Sequence, residues 1–512
     1  MTLSRVEVFL NFATWTGAVL YSLYNFYLAC DIFNHQEDSY NDFSPGWTFL
    51  HRRKDSADIE WQTILYLLTQ ITSWCLMHAF LSEIISKTKF YNYKQTQIFQ
   101  ITFTLIYLIV HMPIVLLLMI ILQPVVFRLF YTLQNTVLMW ICWLSCLTII
   151  TMLKFVDLSE YLDGYNEMDV YLTITCLFWM NLKCFSYFMD KFKQNKEETL
   201  TKDGLSSKSV DNLEYFAYCL YLPTLFGGPF VCFDDYVHCA QDGHLKHSFL
   251  TKLTKLGKNL VRIGFWVVFT EFALHFIYVN PMIYQIEHVK TFNSWTFYGY
   301  GYAMGQYFHL KYVVLYGFSL SFAEFDGIPV PNRPKCIGRI HVYSDMWKHF
   351  DRGFYIFLVR YIYIPLMGDQ RTLRRQILAS IVCFLFVYAW HGIATFILIW
   401  TIINLITIII EKCFKLFIDS QIGANIMHEL NLSDQWRQRL HGIIAAPLLA
   451  ISAMSNSYFF AGREVGDAFF AQFFASQLSA KLTFFFLLYF CCQVSIETKQ
   501  WEQKKSTAGK QR

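Results

Sequence analysis

The chain runs to 512 residues, of which 55% are hydrophobic and only 16% charged. Soluble domains carry about 25% charged residues, so much of this surface must face something other than water, and a purely soluble globular protein is excluded. A net charge of +4 is too small to argue for nucleic-acid binding. The cysteines fall mostly inside apolar runs (Cys142, Cys146, Cys176, Cys184, Cys383, Cys491, Cys492), where they read as small buried hydrophobes and not as a disulfide framework or zinc site.

A helix needs about 20 apolar residues to cross a bilayer, and only helices or closed barrels satisfy their backbone there. In chain order the predicted spans are 8–30, 62–85, 101–122, 130–153, 168–189, 261–283, 296–322, 377–390, 392–411, 440–461 and 481–496. The expected fold is therefore all-α: a polytopic membrane protein of about ten or eleven transmembrane helices plus re-entrant elements. The first span is too long for a signal-peptide core and no clear cleavage site follows it, so it reads as a retained helix.

Three apolar stretches do not suit a simple crossing. Segment 216–237 carries Pro223, Gly227, Gly228 and Pro229 in its middle, and broken backbone at membrane depth must be buried in protein or line a cavity. Segment 354–368 is short and holds Arg360, which fits a re-entrant or interfacial element. The run 377–411 would be roughly 52 Å long as one helix. With Trp390-His391-Gly392 near its middle, it is either two helices meeting there or one long tilted helix. The chain divides into N-terminal membrane helices with their loops (1–214), a core (215–496) and a basic cytosolic tail (497–512), whose KKSTAGKQR end is expected to be disordered.

Between Pro331 and Gln376 nine basic residues face three acidic ones. Positive short loops stay cytoplasmic. The same charge could serve topology alone, or form a cytosolic mouth that attracts an anionic substrate such as a coenzyme A phosphate.

Few residues could carry chemistry. His391, in FVYAWHGIATFILIW, has at least a dozen uncharged residues on each side. Ionisable groups at that depth usually face a bundle interior or a pathway, and imidazole suits general-base work; an inert interhelical hydrogen bond is the competing reading. Asp351, in DMWKHFDRGF, stands at the start of the short apolar element and, taken alone, reads at least as well as a surface pair with Arg352 or a helix-start residue. Cys336 lies in a polar loop with basic neighbours that favour thiolate, and is a ligand, a lipidation site or an inert thiol. No GxxxxGK[ST], GxSxG, HExxH or DHHC-like centre occurs, which argues against an ATP-driven pump, a serine hydrolase, a zinc protease and a cysteine-dependent palmitoyltransferase.

The pieces YLPTLFGGPFVCFDDY, DGIPVPNRPKCIGRIHVYSDMWK, SNSYFFAGREVGD and the DMWKHFD…WHG pair resemble the membrane-bound O-acyltransferase (MBOAT) family, and within it the hedgehog acyltransferase branch, its insect members most. The resemblance covers most of the chain from about Tyr215 onward. It implies the MBOAT fold, with His391 and Asp351 as the catalytic pair. Asp replaces the Asn of many family members at 351. It implies Trp347 as a substrate-binding residue that gates the acyl-CoA site, and Cys336 as axial ligand of a haem b with a structural role. The implied reaction moves palmitate from palmitoyl-CoA to the N-terminal cysteine of secreted signals, Hedgehog and Spitz-like epidermal-growth-factor ligands. The implied place is the endoplasmic reticulum membrane, with the Golgi as a second compartment. The alternatives are transfer to a serine hydroxyl or a lipid, a non-catalytic regulator, and a transporter.

Overall fold

The helices begin where the sequence supplies caps. In the computed structural model, residues 3–34, 42–87, 93–131, 162, 164–201, 211–242, 248–368 and 372–510 are described. Ser4 caps α1 (Arg5–Cys30), Asp58 caps α2 (Ile59–Ser86), Ser248 caps α8 (Phe249–Ala273) and Asn293 caps α9 (Ser294–Phe325), each through a side-chain oxygen that accepts an orphan backbone N–H. Between them lie α3 (Tyr93–His111), α4 (Ile114–Tyr131), α5 (Glu167–Thr201), α6 (Asn212–Cys219) and α7 (Phe233–Asp242). Then come α10 (Tyr343–His349), α11 (Arg352–Phe357), a π-helical turn (Leu358–Tyr363) and α12 (Ile364–Met367). The C-terminal part comprises α13 (Leu373–His391), α14 (Thr395–Ile418), α15 (Gln421–Glu429), α16 (Asp434–Ala475) and α17 (Leu478–Lys510). Among the described residues the strand content is one antiparallel pairing, Phe43–Ser44 with Lys54–Asp55.

Five of these helices, α2, α13, α14, α16 and α17, are long and apolar enough to cross a membrane by length and composition alone. Most of the remaining predicted spans also coincide with helices, but these carry polar groups turned inward. Lys183 and Asp190 in α5 and Lys311 in α9 are all buried. Many large apolar residues face outward instead, among them Val261, Phe265 and Val268 on α8 and Leu398, Ile402 and Ile406 on α14, as a bilayer requires.

Several boundaries differ from expectation. The predicted span 101–122 is cut at Met112-Pro113, because proline disfavours helical backbone in the residue before it; α3 stops at His111 and α4 restarts at Ile114. The span predicted at 261–283 begins earlier, at Phe249, and ends at Ala273. The predicted span 130–153 lies almost wholly outside the described residues. The run 377–411 is two helices: Gly392, with φ of 116°, ends α13, and α14 starts at Thr395. The KKSTAGKQR end, expected to be disordered, is helical to Lys510. Ion pairs from Glu502 to Lys335 and Arg339 and from Lys499 to Asp345 tie the stretch before it to the basic loop.

Helix α9 is the axis of the molecule. It packs against α1, α2, α8 and α16 and is buried along most of its length. The segment with Gly227 and Gly228 lies inside the protein, as its broken sequence required. A Cβ on Gly227 would come within 2.5 Å of Leu315 and one on Gly228, whose φ is 57°, within 2.7 Å of Trp179. Arg360, in the π turn, pairs with Asp190 and Asp234, and Tyr361 donates to the other oxygen of Asp190 at 2.7 Å. The short apolar element is thereby held against α5 and α7.

Candidate active site

Tyr307, Lys311, Tyr312, Leu315 and Tyr316 share one face of α9 and line a cavity of about 600 Å³. Opposite them stand Trp347, Asp351, Trp390 and His391. Helices α2 and α5 also contribute, through Asp58, Glu60 and Trp179.

Asp351 and His391 are each placed by a break in regular structure. Asp351 caps α11: its Oδ1 accepts the Phe354 N–H at 2.8 Å and its Oδ2 accepts the Tyr316 hydroxyl at 2.7 Å. Its neighbour Gly353 sits so close to Phe230 that a Cβ would lie 2.3 Å from the Phe230 carbonyl oxygen. Asp351 lies outside the spanning helices, and burial raises its carboxyl above the ordinary range, although hydrogen bonds from Phe354, Tyr316 and Gly353 pull the other way. His391 is the last residue of α13, just before the Gly392 break. Its ring meets Phe459 edge-on at 4.9 Å and Trp400 at 5.6 Å. Trp400 is held in turn by Asn456, whose Oδ1 accepts from the Trp400 indole at 3.0 Å and from the Tyr343 hydroxyl at 3.1 Å.

Trp347 occupies a wall between two cavities. It lines the cavity of Asp351 and His391 and also, with Tyr355 and Leu358, a second one of about 550 Å³. The second cavity is mainly apolar, with Lys348, Lys412 and Lys415 at its edge against a single acid, Glu411. Trp347 packs edge-on against Phe384 at 5.0 Å, and its buried indole N–H finds no partner among the described residues.

Cys336 is not brought to this site. Its thiol is half-buried and donates to Gln306 Oε1 at 3.5 Å. A cavity of about 210 Å³ nearby is lined by Tyr302, Gln306, Ile337, Gly338 and Cys491, without Cys336. Because the thiol points at Gln306 and stays off the cavity wall, the expected haem finds no support in this geometry.

Tyr316, Asn456, Asp58, Glu60 and Lys311 line the same cavity and were missed by the sequence reading. Lys311 had a signal: it is the single basic residue in the apolar run 296–322, and a buried charge in a spanning segment marks a site or a paired network.

The profile of MBOAT, the membrane-bound O-acyltransferase family, matches residues 122–455. The chain belongs to the membrane-bound O-acyltransferase family. It is 30% identical over 476 residues to the protein-cysteine N-palmitoyltransferase Rasp of Drosophila melanogaster, covering 91% of this chain and 89% of that protein. It is 26% identical over 345 residues to the protein-cysteine N-palmitoyltransferase HHAT of Mus musculus, covering 67% and 68%. The membrane-bound O-acyltransferase GUP1 of Candida tropicalis is 24% identical over 452 residues, covering 81% and 72%. The chain is thus a multi-pass membrane acyltransferase of this family, for which an acyl-CoA is the typical donor.

Proposed function

We propose that this protein moves palmitate from palmitoyl-CoA to the N-terminal cysteine of secreted signalling proteins, Hedgehog and Spitz-like ligands, in the endoplasmic reticulum membrane. The observation that carries the reading is that Asp351 and His391 line one cavity whose wall, at Trp347, also borders an apolar cavity edged by lysines. Two relatives named protein-cysteine N-palmitoyltransferases support the choice of acceptor.

In this reading Lys348, Lys412 and Lys415 attract the phosphates of coenzyme A, the apolar cavity takes the acyl chain, and Trp347 gates its carbonyl end toward Asp351 and His391. An α-amine has a pKa near about 8, so modest help frees its lone pair. The nitrogen attacks the thioester carbonyl, the C–S bond breaks, and the electron pair leaves on the coenzyme A sulfur. One of Asp351 and His391 takes the proton lost by nitrogen and the other orients it; the proton then passes to the leaving thiolate. An attack by the cysteine thiol followed by a shift of the acyl group to nitrogen gives the same amide. Acyl transfer has no redox step, so haem has no part in it. Residues 215–496 form the catalytic core in this reading, and the basic loop and tail face the cytosol.

The test is incubation of the purified protein with labelled palmitoyl-CoA and peptides beginning with Cys, Ala or Ser. Labelling of the Cys peptide alone, lost in His391→Ala, is the expected result. Equal labelling of all three removes the cysteine-specific claim. Labelling of Ser or of added lipid alone favours the second reading, O-acylation, which the likeness to GUP1 supports.

A further inference from the structure

The lysine-edged cavity offers an anionic ligand more donors than acceptors. Lys348, Lys412 and Lys415 line it, and an ammonium group can only donate. Glu411, its single acid, is already engaged: its two oxygens accept the backbone N–H groups of Tyr343 at 2.5 Å and of Ser344 at 3.0 Å. Coenzyme A carries donors as well as phosphates, in its pantetheine amides and its adenine amine. A donor buried without an acceptor costs free energy, so such a ligand needs an acceptor that the protein has not spent on itself.

His341 supplies one. It lines the same cavity from the loop that precedes α10, with its ring 5.5 Å from that of His441. On α17 the Ser495 hydroxyl donates to the Arg339 carbonyl, and a hydroxyl has one hydrogen to give. Its oxygen lies 2.8 Å from His341 Nδ1 and must accept there, so Nδ1 carries the ring hydrogen. In a neutral imidazole the other nitrogen is then an acceptor. Burial, with His441 and Lys499 nearby, pushes the pKa of this imidazole down to about 4, against an opposing pull from Asp345, so the ring is neutral at physiological pH. Its Nε2 makes no hydrogen bond among the described residues.

The arrangement divides the work of recognition. The lysines answer the charge of the ligand and would serve any phosphate. His341, with its tautomer fixed by Ser495, answers a neutral N–H at one place, which is a requirement of shape and chemistry.

We propose that His341 Nε2 accepts a hydrogen bond from the coenzyme A moiety and is a specificity-determining residue on the donor side of the reaction. The inference rests on the acyl-transfer reading and adds to it a group that reads the carrier and not the acyl chain. The N–H has two sources: an amide of the pantetheine arm, or the amine of the adenine.

The experiment is calorimetry on the full-length protein in detergent, with no acceptor present. The probes are coenzyme A, its etheno derivative, whose adenine amine is closed into a ring and has no hydrogen, and a derivative methylated on the pantetheine amide nitrogens. Without an acyl chain none of them enters the micelle. Wild type is expected to bind one derivative roughly fivefold more weakly than coenzyme A, the worth of one neutral hydrogen bond, and the derivative that suffers identifies the source. His341→Phe keeps an aromatic ring and removes the acceptor. It should bind coenzyme A roughly fivefold more weakly than wild type does, and that derivative no more weakly than wild type does. Ser495→Ala leaves the imidazole in place and no longer fixes its hydrogen on Nδ1, so the preference for coenzyme A should shrink; it serves where His341→Phe does not fold. A wild type that binds every probe equally, or a His341→Phe that keeps the wild-type preference, overturns the proposal. So does a His341→Phe that loses affinity for every probe alike, since His341 would then only hold its loop. Discrimination by a wild type that transfers no palmitate to any acceptor removes the transferase reading and leaves the subsite standing.

Discussion

Tyr316 donates its hydroxyl to Asp351 Oδ2 at 2.7 Å while the Asp351 Oδ1 is taken by the backbone of its own helix. Both oxygens of the carboxylate proposed for catalysis are thus fixed by one bond from α9 and one from α11. Tyr316→Phe removes the first and leaves the second. The hydrogen bond favours the charged carboxylate, so its loss raises a pKa that burial has already raised. The acid limb of the rate profile should therefore move to still higher pH, with a fall in rate of roughly tenfold at neutral pH. Measuring kcat/KM across pH for wild type and Tyr316→Phe checks this. An unchanged limb with a lowered rate would show that Tyr316 only shapes the cavity.

Replacing either member of the proposed pair should stop transfer without unfolding the protein. Asp351→Asn keeps a side chain that can still cap α11, and His391→Ala removes an aromatic packed at its edge by Phe459 and Trp400. A loss of roughly 10²–10⁴-fold is expected from each. Mass spectrometry of a co-expressed ligand's N-terminus gives the readout, with detergent thermal melts as the control for folding. Full palmitoylation by either variant would remove that residue from the reaction.

The sequence and the structure agree where polarity contradicts location. That His391 faces a cavity was legible because an ionisable group lay deep in an apolar run, and the break at Gly392 because 377–411 was too long for one crossing. Asp351 was ambiguous, because a carboxylate next to Arg352 has a surface explanation; its partner Tyr316 lies 35 residues away, beyond any local pattern. Lys311 was readable and passed over. Asp58 and Glu60 were not readable as cavity residues, since an acidic helix start is an ordinary cap and the residue that brings them inward is on α9. The cut at Pro113 and the inward-facing charges of α5 show the same limit: hydropathy locates apolar runs but does not say which face of a helix meets protein.

Gly353→Ala should be among the most damaging small changes in the core. A methyl there would lie 2.3 Å from the Phe230 carbonyl oxygen and 2.9 Å from its nitrogen, and backbone cannot rotate away as a side chain can. Overpacking typically costs about 1–3 kcal/mol, and here it falls where Asp351 is held. Lower yield of folded protein and a lower melting temperature, measured together with residual activity, are expected. A variant of normal stability would mean that the Phe230 strand of backbone can withdraw.

Trp347 offers the sharpest separation of donor from acceptor effects. It stands where the lysine-edged cavity meets the cavity of Asp351 and His391, so Trp347→Ala merges about 550 Å³ and about 600 Å³ of space. The acyl chain then loses the wall that sets how far its carbonyl end advances. Misplacement of a reacting group by about 1 Å can cost roughly 10²-fold, so kcat should fall more than palmitoyl-CoA affinity. Discrimination among acyl-CoAs of different length should weaken, because the added volume accepts extra methylenes. The acceptor should keep its KM. Initial rates over a series of acyl-CoAs, at fixed and then at varied peptide, separate these quantities. A variant that loses peptide affinity but keeps its chain-length preference would place Trp347 on the acceptor side of the reaction and reverse the assignment of the two cavities.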